Sequence, residues 1–227
     1  MEQIKRTIRS FVRREGRMTT SQKTALQDLW PRFGIDVTDA GMDFSLIFGR
    51  TAPCILEIGF GMGDSLAETA SSHPENNYLG IEVHRPGVGN LLKRLNEQDL
   101  QNVRAICFDA VEVLKKNIPD ESLDAVCLYF PDPWPKKKHH KRRIIQHDFV
   151  QLIRKKLKTG GEFHMATDWQ NYAEHMAGVM LSAQGFENIG NEAGYIERPE
   201  QRPLTKFEKR GQRLGHEVFD LVFRKIN

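Results

Sequence analysis

The sequence predicts an α/β protein with a doubly wound, mostly parallel sheet and a C-terminal antiparallel strand pair. Two observations carry this. Short apolar runs alternate with helical-period segments from residue 54 to residue 184, as in successive strand–helix–strand units with right-handed crossovers. The first four expected strands each end at an acidic residue: Glu57, Glu82, Asp109 and Asp132. In open α/β sheets that end is where ligands bind.

The elements follow in order. Residues 1–24 are basic and lack an apolar face, so they are expected as a mobile arm ahead of a single domain over 25–227. Trp30-Pro31-Arg32-Phe33-Gly34 reads as a turn-rich entry. Residues 54–58 form the first strand. Asp64 is a suitable N-cap for a helix over 64–71. Residues 78–83 are the second strand and 87–96 the second helix. Residues 103–108 are the third strand, followed by a short helix over 111–116, and 123–130 the fourth strand. Residues 144–157 alternate apolar and basic residues at helical spacing. Gly160-Gly161 is expected to turn the chain into a fifth strand over 162–166. Residues 172–184 are helical, and 186–189 pairs with 217–224.

Composition narrows the classes. The chain has 227 residues, 39% hydrophobic and 28% charged, ordinary for one globular domain with a substantial core. No apolar run is long enough for a membrane span, and none near the start reads as a signal peptide. Cys54, Cys107 and Cys127 lie in apolar runs without metal-ligand spacing, so they are expected as core residues of a cytoplasmic protein. Of the 33 Lys and Arg, 13 fall in residues 1–23 and 136–143; the rest of the chain carries 20 against 28 acids. Positive charge gathered on an acidic body points to a nucleic-acid partner.

The turn Glu57-Ile58-Gly59-Phe60-Gly61-Met62-Gly63-Asp64 follows the first strand and opens a helix. Gly59, Gly61 and Gly63 allow tight backbone and close approach of a ligand. The spacing is G-x-G-x-G rather than G-x-G-x-x-G. Glu57 would repel a pyrophosphate but suits a cationic ligand. Glu82, ending the second strand, can accept both hydrogen bonds of a ribose diol. Asp109 suits an adenine amino group. An amino acid, a sulfonium, a ribose and an adenine occur together in S-adenosylmethionine, the cofactor this pattern predicts.

The fourth strand runs into Phe130-Pro131-Asp132-Pro133-Trp134-Pro135. Proline has no N–H for a ladder, so the strand stops and Asp132 is held stiffly at its end. Lys136 to Arg143 follow at once. His139 and His140 lie inside this run and read as RNA contacts rather than metal ligands.

These segments together resemble the bacterial tRNA (guanine-N7-)-methyltransferase family, whose members are class I S-adenosylmethionine-dependent enzymes on a Rossmann-like fold. The resemblance rests on EIGFGMG, GIEVH, YFPDPWPKKKHHKRR, Ala166-Thr167-Asp168 and Thr205-Lys206-Phe207-Glu208, and runs from about residue 25 to the C-terminus. It implies methyl transfer to N7 of a guanine in the tRNA variable loop. Glu57, Glu82 and Asp109 would bind cofactor, and Asp132 would be the catalytic or cofactor-adjacent acid. Lys136, Asp168, Thr205, Lys206, Phe207 and Glu208 would hold the guanine. Lys138, His139, His140, Lys141, Arg142 and Arg143 would contact RNA.

Guanine N7 exposes a lone pair, so the reaction needs no base, in keeping with a chain that shows no Ser/His/Asp or Cys/His arrangement. Carboxylates such as Asp168 or Glu208 could read the N1–H and N2–H donors. Phe60, Trp134 or Phe207 could offer a stacking face, with ordinary core packing the alternative for each. Two other functions compete: a nicotinamide-dependent oxidoreductase on the same fold, and a non-catalytic RNA-binding scaffold. No membrane or obligate protein partner is evident, and monomer and homodimer both stay open.

Overall fold

A computed structural model of the chain describes residues 10–11, 17–200, 202–204, 208, 215 and 217–227. Among them, five parallel strands, β1 (Cys54–Ile58), β2 (Asn77–Ile81), β3 (Val103–Ile106), β4 (Leu123–Tyr129) and β5 (Leu157–Thr167), form most of one sheet. Two more strands, β6 (Phe186–Asn188) and β7 (Phe219–Lys225), complete it. The order is β3-β2-β1-β4-β5-β7-β6, with β7 antiparallel to both neighbours. The expected C-terminal antiparallel pair is present, and β7 inserts between β5 and β6.

Helices cover both faces. On one side α1 (Thr20–Asp28), the single turn α2 (Trp30–Phe33), α4 (Asp64–Ser72) and α5 (Arg85–Glu97) contribute to a cluster around Phe33, Leu66, Tyr78 and Leu91. On the other, α6 (Ala110–Lys116), α7 (His147–Lys156) and α8 (Gln170–Leu181) build a larger cluster around Leu56, Val126 and Phe163, with the short α3 (Phe44–Phe48) packed against it. The period of two in β1 explains the division: Leu56 and Ile58 enter the larger cluster, while Ile55 packs on the smaller. Each fully buried side chain of this size stabilises by about 1.5–3 kcal/mol.

Several boundaries differ from those expected. The helix α1 starts at Thr20, so the arm boundary expected at residue 24 falls inside it. Thr19 and Gln22 form a capping box, with N–H donors reaching side-chain oxygens at 3.2 and 3.0 Å. The helix lies against α5, where a Cβ on Gly89 would stand 2.7 Å from the Gln22 carbonyl oxygen. Asp64 is not the cap: Gly63 takes that position, and Asp64 sits in the first turn, paired with Arg94 of α5 at 2.5 Å. Gly160 and Gly161 lie within β5 instead of ahead of it. Pairs Leu123↔Leu157 and Ala125↔Glu162 bracket them, and the extra residues bulge out with Gly160 at φ +82°. The helix expected over 144–157 begins only at His147.

Candidate active site

The strand order reverses between β1 and β4, because the chain winds outward from β1 through β2 to β3 and from β4 to β5. A cavity of about 1180 Å³ opens at the carboxyl ends of these strands. Its floor is the turn between β1 and α4, where Gly59, Gly61 and Gly63 have φ of +76°, +57° and +74°. Side chains rarely adopt that region. The first turn of α5 presses on the loop closely: a Cβ on Gly87 would stand 2.0 Å from the Gly61 carbonyl oxygen. Phe60 is buried among core residues of the smaller cluster, which is packing more than a stacking platform.

Glu57, Glu82, Asp109 and Asp132, 75 residues apart in sequence, line this one cavity. Glu82 is braced by backbone: Oε2 accepts from Gly61 N at 2.9 Å, and Oε1 from Val83 N at 2.7 Å and His84 N at 2.9 Å. Asp109 caps α6 through one oxygen, accepting from Val111 N at 3.0 Å. Glu57 is only 7% exposed. Burial, and secondarily the Glu82 carboxylate, push its pKa up to about 8, with no cation among the described residues to offset them. By itself this carboxyl is mostly neutral near pH 7, and it is poised to ionise against a cation.

Asp132 stands exposed in a loop gripped on both sides. Phe130 and Trp134 flank it at φ +50° and +46°, conformations that persist only where surroundings over-determine them. Phe130 thereby leaves the fourth strand, which ends at Tyr129. The 3₁₀ helix η1 (Lys137–Arg142) follows. The Arg142 guanidinium covers the Trp134 ring at 3.9 Å, and Trp134 Nε1 donates to Ser10 O at 3.1 Å. Arg143 turns inward and donates Nε–H to Pro133 O at 2.9 Å.

The match to known proteins follows this geometry. Residues 51–221 match the model of a family described as putative methyltransferase. A relative from Hydrogenovibrio crunogenus, named tRNA (guanine-N(7)-)-methyltransferase, is 58% identical over 98% of this chain and 92% of its own length. Relatives of the same name from Yersinia enterocolitica and Salmonella typhimurium are 58% and 57% identical over 97% of the chain. The chain belongs to the tRNA (guanine-N(7)-)-methyltransferase family. In fold it resembles the 16S rRNA methyltransferase KamB, with a TM-score of 0.62 at 14% identity over 86% of this chain and 98% of that one. An antibiotic-related methyltransferase gives 0.55 over 84% and 96%. S-adenosylmethionine is the cofactor of this family, and the donor set fits it: an ionisable carboxyl for a cation, a strand-end acid for a diol, and glycine backbone that leaves room.

The methyltransferase site gathers the expected cofactor residues and separates others from them. Lys136, Lys138 and Lys141 are exposed on and beside η1, near the cavity rim but outside its lining. His139 packs its edge on Trp134 at 5.8 Å. Burial and then Lys138 lower its pKa, which favours the neutral imidazole, with one donor and one acceptor nitrogen. His140 is half-buried, and its carbonyl accepts from Gln146. Arg143 is a correction: expected at the RNA, it is 2% exposed and spends its donors on protein. Asp168 follows β5 outside the cavity lining. Thr205, Lys206 and Phe207 lie outside the described residues. Glu208, expected at the guanine, is buried, with Oε2 2.6 Å from Arg202 Nη1 and Oε1 3.0 Å from Arg198 Nε. Trp134, a candidate stacking face, is already covered by Arg142. Burial raises the Cys54 and Cys127 thiols to about 12, which leaves them poor nucleophiles.

One cluster escaped sequence reasoning. Arg202 Nε is 2.8 Å from Asp220 Oδ1, which also meets His164 Nε2 at 2.7 Å; His164 Nδ1 lies 3.0 Å from the Tyr129 hydroxyl. This chain of contacts ties Arg202 to β4, β5 and β7. The available signal was Asp220 itself, an acid inside the apolar run of β7.

Proposed function

We propose that the chain transfers a methyl group from S-adenosylmethionine to N7 of a guanine in the variable loop of tRNA, in the cytoplasm. The observation that carries this reading is the convergence of Glu57, Glu82, Asp109 and Asp132 on one cavity beside a lysine-rich 3₁₀ helix. Glu57 takes the cationic end of the cofactor, Glu82 the ribose diol and Asp109 the adenine amino group. When bound, S-adenosylmethionine supplies an electrophilic methyl carbon on a sulfonium leaving group.

Guanine N7 brings its own lone pair, so no side chain has to remove a proton. The work left to the protein is alignment and charge. Good orientation is worth on the order of 7–11 kcal/mol. The product guanine is cationic, and Asp132 stabilises the positive charge as it grows on the ring. Asp168 accepts from the guanine Watson–Crick edge, with Lys136, Thr205, Lys206 and Phe207 completing the contacts. Glu208 is engaged by Arg198 and Arg202 and holds those two side chains together. Lys138, Lys141 and Arg142 hold RNA phosphates, with His139 and His140 as hydrogen-bonding neighbours. The nicotinamide reading is disfavoured by Glu57, because an anionic pyrophosphate would raise the pKa of this buried carboxyl still further, whereas a cation lets it ionise and pair.

Incubation with labelled S-adenosylmethionine and total tRNA, then nucleoside analysis, tests the proposal. Labelled 7-methylguanosine is expected. A different methylated nucleoside, or none, overturns it.

A further inference from the structure

The two arginines that close the basic run behave in opposite ways. Arg142 stays at the surface over Trp134. Arg143, the next residue, caps η1 and turns into the protein, where it is 2% exposed. Its planar fork is committed in three directions. Nε donates to Pro133 O at 2.9 Å, Nη2 donates to Asn171 Oδ1 at 2.7 Å, and Nη1 donates to Asn171 O at 3.4 Å. The guanidinium also lies over the Tyr172 ring, 4.8 Å from its centroid. Asn171 and Tyr172 belong to the first turn of α8, and Tyr172 is fully buried, its hydroxyl accepting from Ile145 N at 3.4 Å. Arg143 is thus a bridge between the rigid start of α8 and the carbonyl of the residue that follows Asp132.

That carbonyl matters because it fastens the side of the loop after Asp132, while Phe130 N, donating to Ala166 O at 2.8 Å, holds the side before it. Pro131, Pro133 and Pro135 have no N–H, so this segment cannot join the sheet. Its two ends sit at positive φ in aromatic residues, Phe130 and Trp134, and a conformation of that kind relaxes unless outside contacts hold it. A guanidinium with five donors in a fixed fork can hold one carbonyl and one carboxamide at once. A lysine carries three donors on one nitrogen at the end of a flexible stem and lacks the planar fork that spans these two acceptors in fixed geometry.

We propose that Arg143 is a positioning residue for the methyl transfer: by fastening the Pro133 carbonyl to Asn171 and Tyr172 it sets the place of Asp132 in the cavity, and it does not contact RNA. This rests on the assignment of Asp132 as the catalytic acid. Its consequence is a split between chemistry and binding. Loss of the fork lets the proline loop relax, which slows the step after both substrates are bound. The exposed lysines that meet the tRNA keep their places.

The test uses the full chain with tRNA and S-adenosylmethionine, in four forms: wild type, Arg143→Lys, Asn171→Ala and Asp132→Asn. Single-turnover methylation is measured at saturating tRNA and cofactor, alongside tRNA affinity at several salt concentrations and the melting temperature. Arg143→Lys is expected to slow the single-turnover rate roughly ten- to hundredfold, the scale of a misplaced catalytic group, with tRNA affinity and its salt slope unchanged. Asn171→Ala should slow it in the same direction by a smaller factor. A folded Arg143→Lys with normal rate overturns the positioning role, whatever its melting temperature. So does a lowered salt slope with normal rate, which would return Arg143 to the RNA. If Arg143→Lys does not fold, Asn171→Ala decides, and a normal rate there overturns the proposal. A near-normal Asp132→Asn overturns both assignments, whereas a slow Asp132→Asn beside a normal Arg143→Lys overturns this one alone.

Discussion

Glu82 reaches from the end of β2 to accept the Gly61 N–H at 2.9 Å, so the acid expected for the cofactor ribose is also the brace of the glycine turn. Its other oxygen holds Val83 N and His84 N. Glu82→Ala takes away the acceptor of three backbone donors, each bond worth about 1.5–3 kcal/mol where the acceptor is charged and fully enclosed, and less here because the group is partly exposed. Cofactor affinity measured by calorimetry should fall roughly tenfold or more, tRNA affinity should hold, and the melting temperature should drop by a few degrees. Unchanged cofactor affinity would remove Glu82 from the site.

Glu57 gives a proton-linked signature. Its folded pKa of about 8 lies above the ordinary 4.5 of an unfolded chain. A raised group contributes stability that is fully present below about pH 4.5 and is lost as pH rises through 8. The cofactor-free protein should therefore lose stability across that window, and Glu57→Gln should flatten the loss. Binding a cation beside the carboxyl draws the proton off. Calorimetry at pH 7 in buffers of different ionisation enthalpy should report close to one proton released per cofactor bound, and none for Glu57→Gln.

Asp132→Asn keeps shape and removes charge. A loss of roughly a hundredfold or more in single-turnover rate, about 2.7 kcal/mol, is the size expected for one preorganised electrostatic group. Cofactor and tRNA affinities should change little. A stable protein with a near-normal rate would show that Asp132 only shapes the proline turn.

Neutralising Lys137, Lys138 and Lys141, all exposed on η1, should weaken tRNA binding and flatten its salt dependence. Each phosphate that no longer meets a lysine lowers the log–log slope by about 0.7–0.9. An unchanged slope in the triple Gln variant would mean that this face is solvated and never meets RNA.

Arg202 faces Glu208 and Asp220 with all three side chains about 1% exposed. Arg202→Met removes the guanidinium that two buried carboxylates share, leaving Glu208 to Arg198 and Asp220 to His164, a defect of up to about 3–5 kcal/mol. Denaturant unfolding should show that loss at pH 7, reduced in acid, where the carboxylates take up protons. A difference below about 1 kcal/mol at pH 7 would show that the cluster contributes little.

Local chemistry determined a great deal from the sequence alone. The five parallel strands and most helices were legible because apolar period and glycine or proline punctuation are local signals. The cofactor acids were legible for the same reason: each stands at the end of a strand, so topology alone carries Glu57, Glu82, Asp109 and Asp132 to one edge. The family was legible in short motifs. Burial was not, because it depends on what packs against a side chain. Seen in a run of six Lys and Arg, Arg143 looks like its neighbours; only the approach of α8 buries it and gives its fork Asn171 and Pro133. Glu208 looks like a reader of guanine until Arg202 and Arg198 fold over it. The left-handed turns at Phe130 and Trp134, the bulge at Gly160 and the Tyr129–His164–Asp220 contacts likewise depend on partners distant in sequence. Only the tertiary structure, which decides those partners, separates a side chain that meets the substrate from one that holds the site in shape.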